Sequence, residues 1–507
     1  MTFKLTINQE NQKANTALQE GKYEEAERLY RSILLTQPKN LNANTNLGVL
    51  LFSVGKLEEA EIIFKKAIKL KPDYAEVHNN LALTLQKLDR LDKAEISHRK
   101  AIEFDRNNPL YYFRLGTTLE RLCNFNEAEM NYRKVLEIEP KYTYAHLGLA
   151  NTLMELKKFT ESEENYRKFL EVEPNHIGAY NNLASLLKQL GKYREAEIIY
   201  NKVLSINPKY EPSLINRGQI LFDKGQFELA LKDFDTGSGS ASRTCALSAL
   251  YALGRIREIY ERIEKNSKLD DVNLSIAAFS AFISTKEGKK TANNFCRNPI
   301  DFIYFSNLKL HLKNSNLFIN EIINELDTVD TVWEPAGKST YKGFQSNNLF
   351  RNSLEKINDL KSIIIKELDL YFLKFKDKSC TYIKKWPSEK NLASWHVVQK
   401  KQGYQKAHIH PAGWLSGVIY LKVVPSLGKN EGAIEFSLNG EKYNDINSPK
   451  KIYEPEVGDI VFFPSTLHHR TIPFTTNTDR IIISFDLKPN IINKNEIISK
   501  WLIGTYT

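Results

Sequence analysis

The sequence predicts an α+β multidomain chain, with an N-terminal all-α superhelix of repeated helix pairs followed by an antiparallel β domain that helices buttress. Three observations carry that expectation. Ala26, Ala60, Ala94, Ala128, Ser162, Ala196 and Ala230 recur every 34 residues, so one structural unit is copied along the N-terminal half. Past residue 380 the apolar period falls to two, in short runs bounded by Gly, Pro, Asn and Asp. A chain of 507 residues also exceeds what one ordinary core encloses, so two or three domains are required.

Composition narrows the function classes. Hydrophobic residues at 42% and charged residues at 26% suit a soluble globular protein, and no apolar run approaches the roughly eighteen residues of a membrane span. The start, MTFKLTINQENQ, lacks the basic-then-apolar pattern of a secretory leader, so a cytoplasmic location without a membrane partner is expected. Cys123, Cys245, Cys296 and Cys380 show no CxxC spacing and read as reduced core thiols. The net charge of +10 is spread without a dense basic run interleaved with aromatics, so no nucleic-acid partner is expected.

Within each 34-residue unit a second small column, Ala14, Gly48, Ala82, Gly116, Ala150, Ala184 and Gly218, lets paired helices approach closely. Tyr30, Phe64, Tyr132, Tyr166, Tyr200 and Phe234 fill the space between successive pairs. Pro38, Pro72, Pro140, Pro174 and Pro208 punctuate the units, with Arg106 breaking the series. This pattern resembles the tetratricopeptide repeat, whose stacked units form a superhelix with a concave groove. Residues 1–237 then hold seven repeats, 238–290 a degenerate repeat or capping helices with a linker at GSGSAS, and 291–507 the β domain.

One column has no packing reason to recur. The sixth position of each unit reads Gln12, Asn46, Asn80, Arg114, Gly148, Asn182 and Asn216. Asn is a poor helix former, yet its amide both donates and accepts, which suits a peptide backbone. The column is similar to the asparagines lining the repeats of protein O-GlcNAc transferase, with Arg114 and Gly148 interrupting it. Asn46, Asn80, Asn182 and Asn216 are the expected peptide-binding residues, and a protein or peptide is the expected partner.

FIYFSNL reads as the first strand of the β domain. Helical spacing follows in SNLFINEIINEL and NSLEKINDLKSIIIKELDLYFLKF, with a loop between them. Eight runs then alternate: CTYIKKW, ASWHVVQKK, GYQKAHI, SGVIYLKVV, GAIEFSL, DIVFFP, HRTIPF and RIIISFDL. Eight strands suit two facing four-stranded sheets. His408 and His410 lie two apart, so on a strand both imidazoles face one way and could meet one ion. His468 and His469 follow DIVFFP, and only one of two neighbours can join that face. In RIIISF, alternation puts Arg480, Ile482 and Ser484 together, where an Arg could hold a carboxylate with its two-pronged guanidinium. His396 reads as a wall residue.

HIHPAGWLSGVIYL, FPSTLHH and RIIISF together resemble a bacterial branch of the Fe(II)/2-oxoglutarate-dependent oxygenases often found behind tetratricopeptide repeats. The resemblance covers roughly the last two hundred residues. It implies a double-stranded β-helix (jelly roll) holding Fe(II) and 2-oxoglutarate in its mouth. The family's Phe-Pro-Ser-x-Leu-x-His pattern selects His469 over His468, so His408, His410 and His469 are the implied metal ligands. Arg480 is then the implied anchor of 2-oxoglutarate, with Tyr420 and Ser484 adding hydroxyl contacts, and Tyr404 and Gln405 near the cosubstrate or primary substrate. The usual triad is two His and a carboxylate. Two arrangements stay open here: three histidines, or His410 as first ligand with Ala412 at the carboxylate position.

Three functions compete. One is a 2-oxoglutarate/Fe(II) dioxygenase, a hydroxylase whose repeats recruit a polypeptide. The second is a cupin-like metal enzyme that does not use 2-oxoglutarate. The third is a repeat scaffold with a catalytically silent β domain.

Overall fold

The computed structural model describes residues 7–335, 338–351, 354–425 and 428–490. The chain forms two compact units, Met1–Ala179 and Tyr180–Thr507.

In the first unit five helix pairs follow the repeat, from Ile7–Gln19 with Tyr23–Thr36 to Thr143–Glu155 with Phe159–Val172. Each pair turns through a left-handed residue at the same repeat position: Gly21, Gly55, Asp89, Cys123 and Lys157, the last three at φ between 57° and 59°. Such a residue ends a helix because it turns the next N–H groups back onto the last carbonyls. The small columns do what their size predicts. Ala26, Ala60, Ala94 and Ala128 are fully buried, and a methyl group on Gly48 would sit 2.5 Å from the Phe64 ring.

The second unit continues with Tyr193–Ile206, Glu211–Asp223 and Phe227–Thr236, and then the pattern contracts. The left-handed glycines pass from Gly225 to Gly254, a step of 29 rather than 34. GSGSAS is the cause: the expected turn occurs, but helix resumes at Ser240, and the Glu211 carboxylate accepts from the Gly239 N–H (2.8 Å) and the Ser242 hydroxyl (2.6 Å). Three terminal helices follow, Ser240–Ala252, Ile256–Lys265 and Leu274–Lys286. They do not form a separate body. Phe279 and Phe282 share a core with Phe436, Leu438 and Tyr443 of the β domain, so the expected boundary at 290/291 falls inside continuous packing.

Ten strands build the β domain: β1 Tyr304–Asn307, β2 Thr331–Trp333, β3 Thr340–Ser346, β4 Leu392–Gln405, β5 Leu415–Lys422, β6 Ile434–Ser437, β7 Lys450–Tyr453, β8 Asp459–Pro464, β9 His468–Thr471 and β10 Arg480–Leu487. A seven-stranded sheet runs β1-β8-β5-β10-β4-β3-β2, and a three-stranded sheet runs β7-β6-β9. All of the pairings are antiparallel, as in a double-stranded β-helix.

The strand β7 was not among the expected runs, and three further departures from four-plus-four stand out. CTYIKKW is a short helix, Thr381–Lys384, with Tyr382 and Ile383 buried in the core that also holds Trp414. ASWHVVQKK and the first three residues of GYQKAHI fuse into the single strand β4, which bends at left-handed Gln402 and is bulged against β3. The segment between the two helices is a hairpin, β2–β3, that widens the large sheet. Both helices form as expected, at Ser315–Leu326 and Glu355–Phe375, and buttress that sheet: Ile322, Leu360, Ile364 and Leu368 pack with Leu415, Ile419, Phe462 and Ile483.

Candidate metal centre

The three histidines meet between the two sheets. His408 and His469 pair through their backbones, each N–H donating to the other's carbonyl at 3.1 Å. His410 is set by its own N–H donating to the Ser465 carbonyl at 3.0 Å. The segment carrying His408 and His410 is not a regular strand, so these contacts, rather than alternation, bring the two rings onto one side. Ring centres lie 5.1 Å apart for His408–His410, 4.3 Å for His408–His469 and 5.0 Å for His410–His469. One ring nitrogen of each falls within 4.8 Å of the others, a grouping that can hold a metal ion.

The hydrogen bonds behind the rings assign the nitrogens. His408 Nδ1 faces the Lys406 carbonyl at 2.6 Å, His469 Nδ1 the Leu467 carbonyl at 3.1 Å and His410 Nδ1 the Asp486 carboxylate at 2.6 Å. Those oxygens only accept, so each Nδ1 carries the proton and each neutral ring keeps its lone pair on Nε2. The Nε2 atoms of His408 and His410 stand 3.1 Å apart, and the Ser339 hydroxyl donates to the former at 3.1 Å. Burial, helped by the neighbouring imidazoles, lowers His408 to about 3 and His469 well below the ordinary value, so both are neutral and fit to ligate. A divalent cation suits this all-nitrogen set.

Asp486 was legible but missed. It follows Arg480, Ile482 and Ser484 at the same two-residue period, and burial leaves its side chain 7% exposed behind His410, with the Ser416 hydroxyl donating to it at 2.8 Å. His410 holds its carboxyl below the usual range, against the opposing effect of burial.

Arg480 is 1% exposed. Its Nε donates to the Gly432 carbonyl (3.2 Å) and Nη1 to Gln399 Oε1 (2.7 Å), but no carboxylate pairs with it among the described residues. The guanidinium lies 5.1 Å from the centre of the Tyr420 ring, whose hydroxyl is buried beside it without a hydrogen bond of good geometry. An unneutralised buried cation with an orphaned hydroxyl is a costly arrangement that an incoming carboxylate would relieve. A cavity joins His408, His410, His469, Tyr420, Arg480 and Ser484. Gln405 also lines it. Tyr404 does not: the alternation that turns Gln405 inward stacks Tyr404 on Tyr341, with ring centres 5.0 Å apart. His396 is buried but does not line the cavity: it pairs with Ile483 on the helix-facing side of the sheet while its neighbour Trp395 turns inward, and His468 points the other way, its ring edge-on to Tyr443.

The asparagine column is not uniformly open. The Asn46 amide donates to Asn15 Oδ1 at 2.8 Å and Asn80 Oδ1 lies 3.4 Å from the Asn79 amide. Asn182 is half-buried, and Asn216 is buried, accepting from Lys188 Nζ at 3.0 Å. Arg114, which interrupts the column, is half-buried.

A repeat array joined to an antiparallel β-helix with an all-histidine grouping in its mouth defines the class of this protein. Residues 393–486 match a family model described as "Putative 2OG-Fe(II) oxygenase", and tetratricopeptide-repeat models match residues 11–75, 63–96, 110–142 and 142–209. The chain thus carries tetratricopeptide repeats ahead of a C-terminal domain that matches this oxygenase family over residues 393–486. No curated protein matches it. Among solved structures it is similar to MamA, at 22% identity over 32% of this chain and 94% of that one, with a TM-score of 0.31. A tetratricopeptide repeat protein from Parabacteroides merdae is 23% identical over 50% and 98%, with a TM-score of 0.39. YrrB, described as a TPR protein with an unusual peptide-binding site, is 20% identical over 36% and 93%, with a TM-score of 0.33.

Proposed function

We propose that the β domain is an Fe(II)- and 2-oxoglutarate-dependent dioxygenase, a hydroxylase, and that the repeats recruit its polypeptide substrate or a partner. The observation carrying this reading is the pairing of one all-Nε2 grouping, each Nδ1 held from behind, with an unneutralised buried guanidinium on the same cavity. His408, His410 and His469 would hold Fe(II). When bound, iron with 2-oxoglutarate and dioxygen supplies oxidation of an unactivated C–H bond, with succinate and carbon dioxide released. The protein's own part is positional. Arg480, with Tyr420 and Ser484, would orient the dicarboxylate by charge-assisted hydrogen bonds. Phe463 and Ile482 keep the cavity wall apolar and limit water.

The cupin-like alternative draws on the absence of a carboxylate from the grouping. One titration separates the two: anaerobic protein loaded with Fe(II) is titrated with 2-oxoglutarate, and succinate release is followed after air is admitted. Saturable binding is expected in the parent. Arg480→Ala should weaken it by several kcal/mol, hundreds-fold or more in affinity, and Arg480→Lys should restore only part because the fork is gone. Equal binding by parent and Arg480→Ala would discard the cosubstrate assignment.

A further inference from the structure

Where the helical array ends against the β domain, the second unit holds two cations that the oxygenase reading does not use. Lys188 is half-buried on the helix Ile177–Gln189. Its ammonium donates to two neutral acceptors, Asn216 Oδ1 at 3.0 Å and Gln219 Oε1 at 2.8 Å, and its third N–H has no acceptor among the described residues. Lys442, from the loop between β6 and β7, comes to the same helix, Glu211–Asp223: its Nζ lies 4.7 Å from the centre of the Phe222 ring and 3.8 Å from Asp223 Oδ1.

The neighbouring charges do not cancel. Asp223 is the only acid in an ion pair with either lysine among the described residues, and its side chain is 65% exposed, so water weakens its pull. Burial first and Lys442 second lower Lys188 to about 8, against the attraction of Asp223. By contrast, the arginines of the terminal part of the array are matched: Arg217 with Asp233, Arg243 with Asp270, Arg255 with Glu228 and Arg262 with Asp235. An excess positive charge at this point is therefore a local feature.

Lys442 is also held rather than loose. On its loop Tyr443 packs against Phe279 and Phe282, at 4.9 Å between ring centres in each case, and Tyr251 donates to the Asn444 carbonyl at 3.1 Å. The same loop approaches the metal grouping, for the Tyr443 ring stands edge-on to His468, the chain neighbour of His469, with 5.6 Å between ring centres.

We propose that Lys188 and Lys442, with Asn216 and Gln219 as supports, bind an acidic side chain of the recruited polypeptide beside the loop that leads to the oxygenase mouth. A carboxylate between the two ammonium groups would relieve their repulsion and fill the spare N–H of Lys188 with a charge-assisted bond. Asn216 acts here by positioning Lys188 rather than by gripping a backbone. The proposal rests on the recruitment reading for its delivery role, but the binding itself needs neither iron nor 2-oxoglutarate.

The test uses the metal-free full chain and two degenerate pools of twelve-residue peptides, one with Asp or Glu fixed at the centre and one with Asn or Gln. Retained peptides are quantified by mass spectrometry at low and high salt. At least tenfold enrichment of the acidic pool is expected, lost at high salt. The enrichment should disappear in Lys188→Gln and Lys442→Gln, persist in Lys188→Arg and turn against acids in Lys442→Glu. Equal retention of the pools, retention of neither, or unchanged enrichment in both Gln variants that melt like the parent would overturn the proposal. Succinate release without peptide is read in parallel, so loss of the oxygenase reading would show separately.

Discussion

Each imidazole of the metal grouping is defined by the atom behind it, and that makes single residues decisive. His468 and His469 are adjacent and both buried, yet only His469 faces His408 and His410, while His468 meets Tyr443. His469→Ala is expected to abolish stoichiometric Fe(II) on anaerobic reconstitution, whereas His468→Ala keeps it; iron retained in the first variant would remove His469 from the set. Asp486 orients His410 from outside. Loss of such an outer carboxylate typically costs about 10–100-fold in metal affinity. Titration of Asp486→Asn with Co(II), read by its visible absorption, should show that loss with the ligand-field bands retained. An unchanged affinity would mean that Ser416 and the backbone suffice to set the ring. The period-two spacing of Arg480, Ile482, Ser484 and Asp486 made this residue visible in sequence, but its partner lies 76 residues upstream and only the fold connects them.

Among elements, the helices of the array follow from composition, and their exceptions show where stability is surrendered. His98, on Leu91–Phe104, is fully buried with both ring nitrogens lacking a hydrogen bond, and burial with the nearby Arg114 lowers it to about 3. The sign of the consequence is fixed: between about 6.5 and 3 the unfolded chain binds a proton that the folded state refuses. Stability from this group is therefore complete above about 6.5 and lost as pH falls. His98→Leu should raise stability at pH 7 by about 1–3 kcal/mol, since it removes unsatisfied buried polar atoms, and should flatten the decline toward pH 4. Urea melts at both pH values measure this, and a variant that retains the parent's slope would assign the acid sensitivity elsewhere. In the β domain the two buttressing helices were legible from their 3.6-residue period. The β2–β3 hairpin was not, because Thr331–Trp333, at 3 residues, is too short to establish a period of two in the sequence.

For the whole molecule, the terminal helices bind the end of the array to the β domain. Phe279 and Phe282 are buried, as are Ile276 and Ile283, within the core that contains Tyr443 and Phe436. Each fully buried side chain of this size contributes about 1.5–3 kcal/mol. A fragment of residues 291–507 is thus expected to aggregate or bind a hydrophobic dye, while residues 180–507 should melt cooperatively. If the shorter fragment melts at the temperature of the longer one, the shared core contributes nothing to stability. Among the described residues no helix is long and apolar enough to cross a membrane.

Period and residue size alone determined much of this protein. A 34-residue spacing with Gly or Ala where helices touch, and a bulky ring opposite, has one compact solution, because a larger residue at Gly48 would strike Phe64. Alternating runs likewise indicated strands, and the histidines and arginine stood out through their spacing. Tertiary structure decided what depends on distant partners. Whether CTYIKKW was a strand turned on burial that only Trp414 and its neighbours supply, the Trp414 N–H donating to the Tyr382 carbonyl at 3.0 Å. Which ring nitrogen of His410 keeps its lone pair turned on Asp486, and the freedom of Asn216 turned on Lys188. Local sequence specifies the backbone's period, whereas protonation, satisfaction of polar groups and strand count depend on atoms brought close only when the chain has folded.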